Sequence, residues 1–361
     1  MTGLMPNKLA VIALTRGGAE LARNIRKSYP GGTDVYLPGK FSRPGEKVHL
    51  LSDDLSADMK KIFGKYKAIA CIMAAGIVVR TIAPLVRNKK TDPAVVVMDE
   101  KGRFVISLLS GHVGGANALT ETLAGITGGQ AVITTASDVQ GAVAADTLAQ
   151  KLDCVVEDYS GAKKVTAALV NGGKAAAWSY NSAISHRLGD MRGIRLYSSL
   201  DAVINAKRDA ALIISPFILP EELKALLEPV TVLRPKVLVV GIGCNRGTTA
   251  REIGNLAARV FREHGLSPLS VRNLATISDK KDEAGITEFA RKTGVDVEYI
   301  SKRRLLMADT PSGPSEKVFR NMGVYGVCEP AALVSAGADA LIEPKKKSKN
   351  ATIAVAEARL A

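Results

Sequence analysis

Residues 237–253 read VLVVGIGCNRGTTAREI. Four apolar residues lead into a glycine-rich turn, which ends in Thr248 and Thr249 before a run with helical spacing. Strand, tight loop and helix in this order make a shape that holds anions, because backbone N–H groups and the helix dipole attract negative charge. The spacing fits the common nucleotide loops poorly. Gly241, Gly243 and Gly247 leave three residues between the last two, where a dinucleotide fingerprint has two, followed by an acid about 20 residues on. The next strand, LSVRNLATIS (269–278), carries no acid, and Gly247 stands where an ATPase phosphate loop needs Lys. Three readings stay open: a nucleotide phosphate, a bare tight turn, and a non-nucleotide anion such as a carboxylate.

Outward from this stretch, apolar runs alternate with helical periodicity along the whole chain, which predicts an α/β fold with mostly parallel sheets. KLAVIAL and AIACIMA read as strands, GGAELARNIRKSY and GGANALTETLAGIT as helices. AVVVMD and FVISLLS, separated by EKGR, predict a hairpin. Prolines interrupt the pattern in SPFILPEE and EPVTVLRPK, so a linker is expected near 229–236. The expected organisation is an N-terminal α/β domain (1–139) with the SGHVGGAN loop, a smaller central α/β segment and linker (140–235), and a C-terminal α/β domain (236–361) with the GIGCNRGT loop. The chain's last stretch, PKKKSKNATIAVAEARL, reads as a basic turn and an edge strand.

The 361 residues carry a formal charge of +14 and are 47% hydrophobic, as expected of ordinary globular domains. The excess is uneven. Residues 1–139 hold 18 Lys/Arg against 11 Asp/Glu, residues 140–235 hold 11 against 10, and residues 236–361 hold 20 against 14. Two basic ends around a neutral middle favour an acidic partner. Aromatic residues are only 4%, so stacking platforms for single strands are scarce, and no nucleic-acid-binding pattern appears. No apolar run reaches membrane-spanning length and the start has no secretory core, so a cytoplasmic protein without membrane or nucleic-acid partners is expected. Cys71, Cys154, Cys244 and Cys328 lie too far apart for a zinc or redox motif, and no protein metal site is expected.

The densest chemical constellation is FVISLLSGHVGGANALTETLA (104–124). Ligands of parallel sheets sit at the carboxyl ends of strands. That rule places His112 in an accessible turn, where a neutral imidazole can act as a base near pH 7. Glu121 and Asp92 stand behind it as alternative bases. Gly114, Gly115 and Asn117 form the turn, and Gly76 forms a similar one in MAAGIVVRTIAP (73–84). Arg80 is placed to clamp a carboxylate. In the C-terminal domain, Gly243, Asn245, Arg246, Gly247 and Thr248 form the expected anion loop, with Lys280 and Glu329 as further binding candidates. Serine-nucleophile chemistry lacks its G-x-S-x-G elbow.

The run AAGIVVRTIAPLVRNKKTDPAVVVMDEKGRFVISLLSGHVGGANALTETLA, continued by ITTASD, resembles the N-terminal domain of the cobalt-precorrin-5A hydrolases of anaerobic cobalamin biosynthesis. VGIGCNRGTTAREI, SDKKDEAGITEFARKTGV, PSEKV and GVYGVCEPAAL resemble that family's C-terminal domain. The resemblance implies opening of the δ-lactone of a ring-contracted cobalt-corrinoid, with the former meso carbon and its methyl group lost as acetaldehyde. The product is cobalt-precorrin-5B. It also implies a polyanionic substrate bridging the two basic lobes, and cobalt that arrives inside that substrate, so no separate cofactor. Neighbouring pathway enzymes and a second copy of the chain stay open as partners. Two rival classes stay open as well: a non-catalytic corrinoid carrier and a nucleotide-dependent oxidoreductase using the GIG loop.

Overall fold

The computed structural model describes residues 8–88, 91–111, 114–134, 144–188 and 191–359. The fold is α/β with mostly parallel sheets, and the chain divides into two compact units, residues 1–147 and 148–361.

In the first unit the strands are β1 (Lys8–Ala13), β2 (Gly32–Pro38), β3 (His49–Leu51), β4 (Ala68–Ile72), β5 (Ala94–Met98), β6 (Phe104–Leu109) and β7 (Gln130–Val132). The helices are α1 (Arg16–Ser28), α2 (Leu55–Lys65), α3 (Ala75–Ile82) and α4 (Ala116–Thr127). The sheet order is β3-β2-β1-β4-β5-β6-β7. β4 and β5 are apolar throughout and wholly buried, as strands covered by helices on both faces must be. The first five strands are parallel, and the expected hairpin is present: β6 returns antiparallel to β5, with Met98 opposite Val105. The turn is built by Asp99, whose carboxylate accepts the N–H groups of Lys101 (2.9 Å) and Phe104 (2.8 Å).

The reversal relocates Ser110 and Gly111 at the end of β6 and Gly114 to Asn117 at the start of α4. The carboxyl end of β6 lies beside the amino end of β5, since Leu109 pairs with Val95. The carboxyl ends of β1, β4 and β5 face the opposite rim. β6 runs antiparallel to β5 and parallel to β7, so the strand-end rule behind the choice of His112 does not carry over from the parallel strands β1 to β5.

The second unit holds two sheets. The middle one contains β8 (Cys154–Val156), β9 (Ala175–Ser179), β10 (Ile194–Leu196), β11 (Ala210–Ile214) and β12 (Val230–Pro235), in the order β10-β9-β11-β12-β8. α5 (Ala145–Lys151) spans the boundary between the units, and around the sheet are α6 (Tyr159–Val170), α7 (Ser182–Leu188), α8 (Leu200–Ile204) and α9 (Glu221–Leu227). The linker expected near 229–236 is instead β12, buried at every position. Pro229 precedes the strand and Pro235 ends it, so neither removes a ladder donor from its middle. Arg234 is fully buried and ion-pairs with Glu157, and its Nη1 donates to the carbonyl oxygen of Ser215 at 2.8 Å.

The C-terminal sheet contains β13 (Leu238–Cys244), β14 (Val271–Ile277), β15 (Asp296–Ile300), β16 (Leu341–Lys347) and β17 (Ala351–Glu357), in the order β15-β14-β13-β17-β16. Its helices are α10 (Ala250–Glu263), α11 (Ala284–Thr293), α12 (Lys302–Leu306), α13 (Glu316–Met322) and α14 (Cys328–Ala336). The last strand is not the edge. β17 runs between β13 and β16 and is largely buried, while β16, with Lys345–Lys347, takes the edge. Small and β-branched residues in ATIAVAE suit an interior strand, and lysines suit an edge. The middle and C-terminal sheets are joined closely. Tyr180 Oη donates to Glu357 at 2.7 Å, Ser267 N–H to the Pro216 carbonyl at 2.7 Å, and Lys236 N–H to the Asp153 carbonyl at 3.0 Å.

Candidate active site

In the N-terminal unit the chain around Ser110 folds back on itself. Ser110 has φ +60°, a left-handed conformation that a non-glycine residue adopts at a cost. Its Oγ donates to the Asp92 carbonyl at 3.2 Å, and its own carbonyl accepts the Ala116 N–H at 3.1 Å. Asn117 N–H donates to the Gly111 carbonyl at 2.9 Å, and Asn117 Oδ1 accepts from Ser107 Oγ at 2.6 Å. Gly114 is required by this closure, since a Cβ there would stand 2.2 Å from Ser110 Cβ. Gly115, at φ +87°, caps α4. His112, with Lys89 and Lys90, lies outside the described residues.

Asp92 and Glu121 occupy different settings. Asp92 is buried, and its Oδ2 accepts the N–H groups of Arg87 (2.8 Å) and Asn88 (2.9 Å). Its carboxylate therefore fixes the loop before β5. Glu121 is exposed on α4. The loops therefore gather Asp92, Ser110, Gly114, Gly115 and Asn117 at the amino end of β5. Gly76 and Arg80 lie on α3, which leaves from the carboxyl end of β4, so they belong to the opposite rim. Arg80 sits in the last turn of α3 and reaches back: its Nη1 is 3.7 Å from where a Gly76 Cβ would stand.

In the C-terminal domain the glycines divide by role. Gly241 and Gly243 lie within β13. A Cβ at Gly241 would stand 1.9 Å from the Cys328 carbonyl oxygen, and one at Gly243 would stand 2.6 Å from Thr352 Oγ1. These two glycines admit α14 and β17 rather than a phosphate. Gly247, at φ +75°, makes the turn, and its N–H donates to Glu283 Oε2 at 3.1 Å. Lys280 Nζ meets the other oxygen of Glu283 at 3.2 Å. Burial would raise the Glu283 carboxyl, but the Gly247 N–H, the Lys280 ammonium and nearby Arg246 outweigh it and hold the group below its ordinary value. The anion on this loop is thus one of the protein's own side chains.

The rest of the loop is locked to the β16–β17 turn. Asn245 N–H donates to the Asn350 carbonyl at 2.8 Å, and buried Thr248 donates its hydroxyl to the Asn245 carbonyl at 2.7 Å. Glu252 accepts from Ser348 Oγ and Asn350 N–H, both at 2.7 Å. Arg246 and Gly247 remain exposed at the carboxyl end of β13. Glu329 is only 2% exposed, and Ser312 Oγ (2.7 Å), Ser312 N–H (3.2 Å) and Lys345 N–H (3.1 Å) all donate to it. Among the described residues no group of His, Cys, Asp and Glu could hold a metal ion.

Sequence reasoning missed Ser110, Glu252, Asn350 and Ser312. The T-x-x-E spacing of Thr249 and Glu252 could have drawn attention to Glu252 as a helix-start residue. Ser110 lies inside the SGHVGGAN stretch, but its left-handed φ is not marked by its residue type, and nothing local marks Asn350 and Ser312, whose partners are far along the chain.

Three family descriptions match consecutive parts of the chain. They are "Cobalamin synthesis G N-terminal" over residues 57–138, "Cobalamin biosynthesis central region" over 143–235 and "Cobalamin synthesis G C-terminus" over 238–356. A cobalt-precorrin-5A hydrolase from Priestia megaterium is 40% identical over 359 residues, covering 96% of this chain and 94% of that protein. A cobalt-precorrin-5A hydrolase from Salmonella typhimurium is 35% identical, covering 93% of this chain and 94% of its own length. The crystal structure of a cobalamin biosynthesis protein G homolog from Sulfolobus solfataricus is 22% identical over 98% of both chains, with a TM-score of 0.37. Matched nearly end to end at this level of identity, the chain belongs to the cobalt-precorrin-5A hydrolase family.

Proposed function

We propose that the protein opens the δ-lactone of cobalt-precorrin-5A and releases acetaldehyde, giving cobalt-precorrin-5B in anaerobic cobalamin biosynthesis. The observation that carries this reading is the 40% identity to a named hydrolase over 96% of the chain. The charge pattern agrees with it, because a substrate edged with acetate and propionate groups suits a chain of net charge +14. Cobalt is part of the substrate, and the protein's task is acid–base chemistry and binding.

Two bonds break in turn. Water adds to the lactone carbonyl, a base takes its proton, and the acyl C–O bond cleaves to a carboxylate and a hydroxyethyl group. The hydroxyl proton then leaves, the C–C bond to the macrocycle breaks, and the ring keeps the electron pair as acetaldehyde departs. We assign the base to His112, with the Asp92 carbonyl holding Ser110, two residues earlier in the chain. Supporting this choice, the chain just before it is strained at Ser110, and strain of this kind persists only where surrounding contacts hold it. Arg80 and Arg246, both exposed, are assigned to substrate carboxylates. We place the protein in the cytoplasm, a setting that suits its four free cysteines. No described helix is long and apolar enough to cross a membrane.

The test is incubation of the purified protein with cobalt-precorrin-5A and trapping of acetaldehyde. Stoichiometric acetaldehyde with the opened corrinoid is expected. Tight binding of the substrate without acetaldehyde would instead identify a carrier.

A further inference from the structure

Between β15 and α14 the chain makes an excursion beyond the carboxyl end of β15. It buries Leu305 and Val324 in one layer of the domain core. Other large apolar side chains face outward. Phe319 is 38% and Tyr325 40% exposed, and their rings stack with centroids 4.5 Å apart and 18° between planes. Met307 is 81% exposed. Aromatic residues make up only 4% of this chain, so a stacked pair of water-facing rings in one short stretch is conspicuous.

The excursion is held in place. Buried Glu329, at the start of α14, accepts both hydrogen bonds from Ser312, and Ser315 N–H donates to the Tyr325 carbonyl at 2.9 Å. Gly326 allows close approach, since a Cβ there would stand 2.6 Å from Thr310 Cγ2. Residues 301–327 carry five Lys/Arg against two Asp/Glu. Arg303, Lys317 and Arg320 are all exposed. Pre-set rings lose little freedom on binding, and exposed cations on the same excursion attract carboxylates without needing a deep cavity.

The geometry points to a docking face for the corrinoid on this excursion: the macrocycle lies against the Phe319–Tyr325 pair while its peripheral carboxylates meet exposed cations of the same excursion, Arg320 next to Phe319 foremost. The proposal rests on the corrinoid reading above and adds to it the surface that holds the ring. An apolar ring system with acidic arms matches both halves of the surface. A purely apolar partner would leave the cations unused, and a simple polyanion would leave the rings wet.

Cobyrinic acid, a cobalt corrin with free carboxylates and no lactone, serves as the probe, with binding to the full chain followed by equilibrium dialysis. Phe319→Leu and Tyr325→Leu keep apolar packing and remove the rings. Each is expected to weaken binding about tenfold, the usual scale for losing a stacking ring, with an unchanged melting temperature. Arg320→Gln should weaken binding at low salt and much less at high salt. Wild-type affinity in both leucine variants overturns the proposal, as does a wild-type protein that does not bind the probe. Turnover of the lactone separates the two claims. Ring-dependent binding without acetaldehyde keeps the docking face and removes the hydrolase reading. Acetaldehyde release with unchanged KM in both leucine variants does the reverse.

Discussion

Glu283 Oε2 accepts the backbone N–H of Gly247 at 3.1 Å, so a carboxylate from the start of α11 fills the turn between β13 and α10. Lys280 neutralises it from the other side at 3.2 Å. The first unit repeats the device. Thr15, which caps α1, donates its hydroxyl to Glu100 Oε2 at 2.9 Å, and that same oxygen is 3.1 Å from where a Gly17 Cβ would stand. In both units a strand-to-helix turn of the anion-binding shape already carries an internal anion.

Titration calorimetry with ATP, NAD+ or NADP+ should therefore show no binding. A nucleotide would have to displace Glu283 and desolvate it beside its own phosphates, an unfavourable like-charge contact. Micromolar affinity for any of the three would refute this account of the turn.

The pair Arg23–Glu46 should give the first unit a measurable acid sensitivity. Arg23 donates to both carboxylate oxygens of Glu46 at 2.7 Å, and this pairing pushes the Glu46 carboxyl down to about 2. The folded value lies below the unfolded one, so the stabilisation is complete above about 4.5 and disappears as pH falls towards 2. Glu46→Gln should cost roughly 2 kcal/mol at pH 7, since Arg23 loses a charge-assisted pair while keeping Glu20 and the Phe41 carbonyl. Chemical denaturation at several pH values should show the gap between wild type and variant closing below the ordinary carboxylate range. A gap that stayed constant down to pH 2 would contradict the assignment.

Gly241→Ala should damage the C-terminal domain out of proportion to one methyl group. The added Cβ would stand 1.9 Å from the Cys328 carbonyl oxygen and 2.8 Å from the Ala332 nitrogen, both backbone atoms of α14. The helix must move away from β13, at a cost of about 3 kcal/mol. Gly265→Ala has open space around it but a φ of +60°, so it should show only the smaller backbone penalty of about 1 kcal/mol. Equal melting temperatures for the two variants would count against close packing at Gly241.

His112 and Ser110 should separate chemistry from loop geometry. His112→Gln should slow acetaldehyde release by about 10²–10⁴-fold, the usual worth of a positioned base, with little change in melting temperature. Ser110→Gly removes the strained φ of +60° together with the Oγ bond to Asp92, so it should fold at least as well yet turn over more slowly. Normal turnover in His112→Gln would move the base elsewhere.

Much of this architecture is legible in the sequence, for reasons that are local. Period-two and period-3.6 patterns in KLAVIAL, AVVVMD and GGANALTETLA mark their elements because each buries one face or both. The EKGR turn marks the β5–β6 hairpin. What that hairpin does to the next loop is easily overlooked: reversing β6 sends Ser110 and Gly111 to the amino end of β5, away from Gly76. β12 reads as a linker in the sequence because prolines bracket it. The partner that makes Arg234 a core residue, Glu157, lies 77 positions earlier. The clamps on the loops share this property. Glu283 on Gly247, Glu329 on Ser312 and Glu252 on Asn350 join residues whose proximity only the folded chain creates.

Between Pro235, the last residue of β12, and Leu238, the first of β13, only two residues intervene, and both are tied down. Lys236 Nζ donates to the Val271 carbonyl at 3.0 Å, and Val237 N–H donates to the Ser270 carbonyl at 3.1 Å. There is no slack in that connection to act as a hinge, and the contacts of Tyr180 with Glu357 and of Ser267 with Pro216 span the same seam. Under mechanical load residues 148–361 should behave as one body. Pulled from its ends in an optical trap, this half of the chain should give a single rupture, with the middle sheet unable to shed its strands while the C-terminal sheet stays whole.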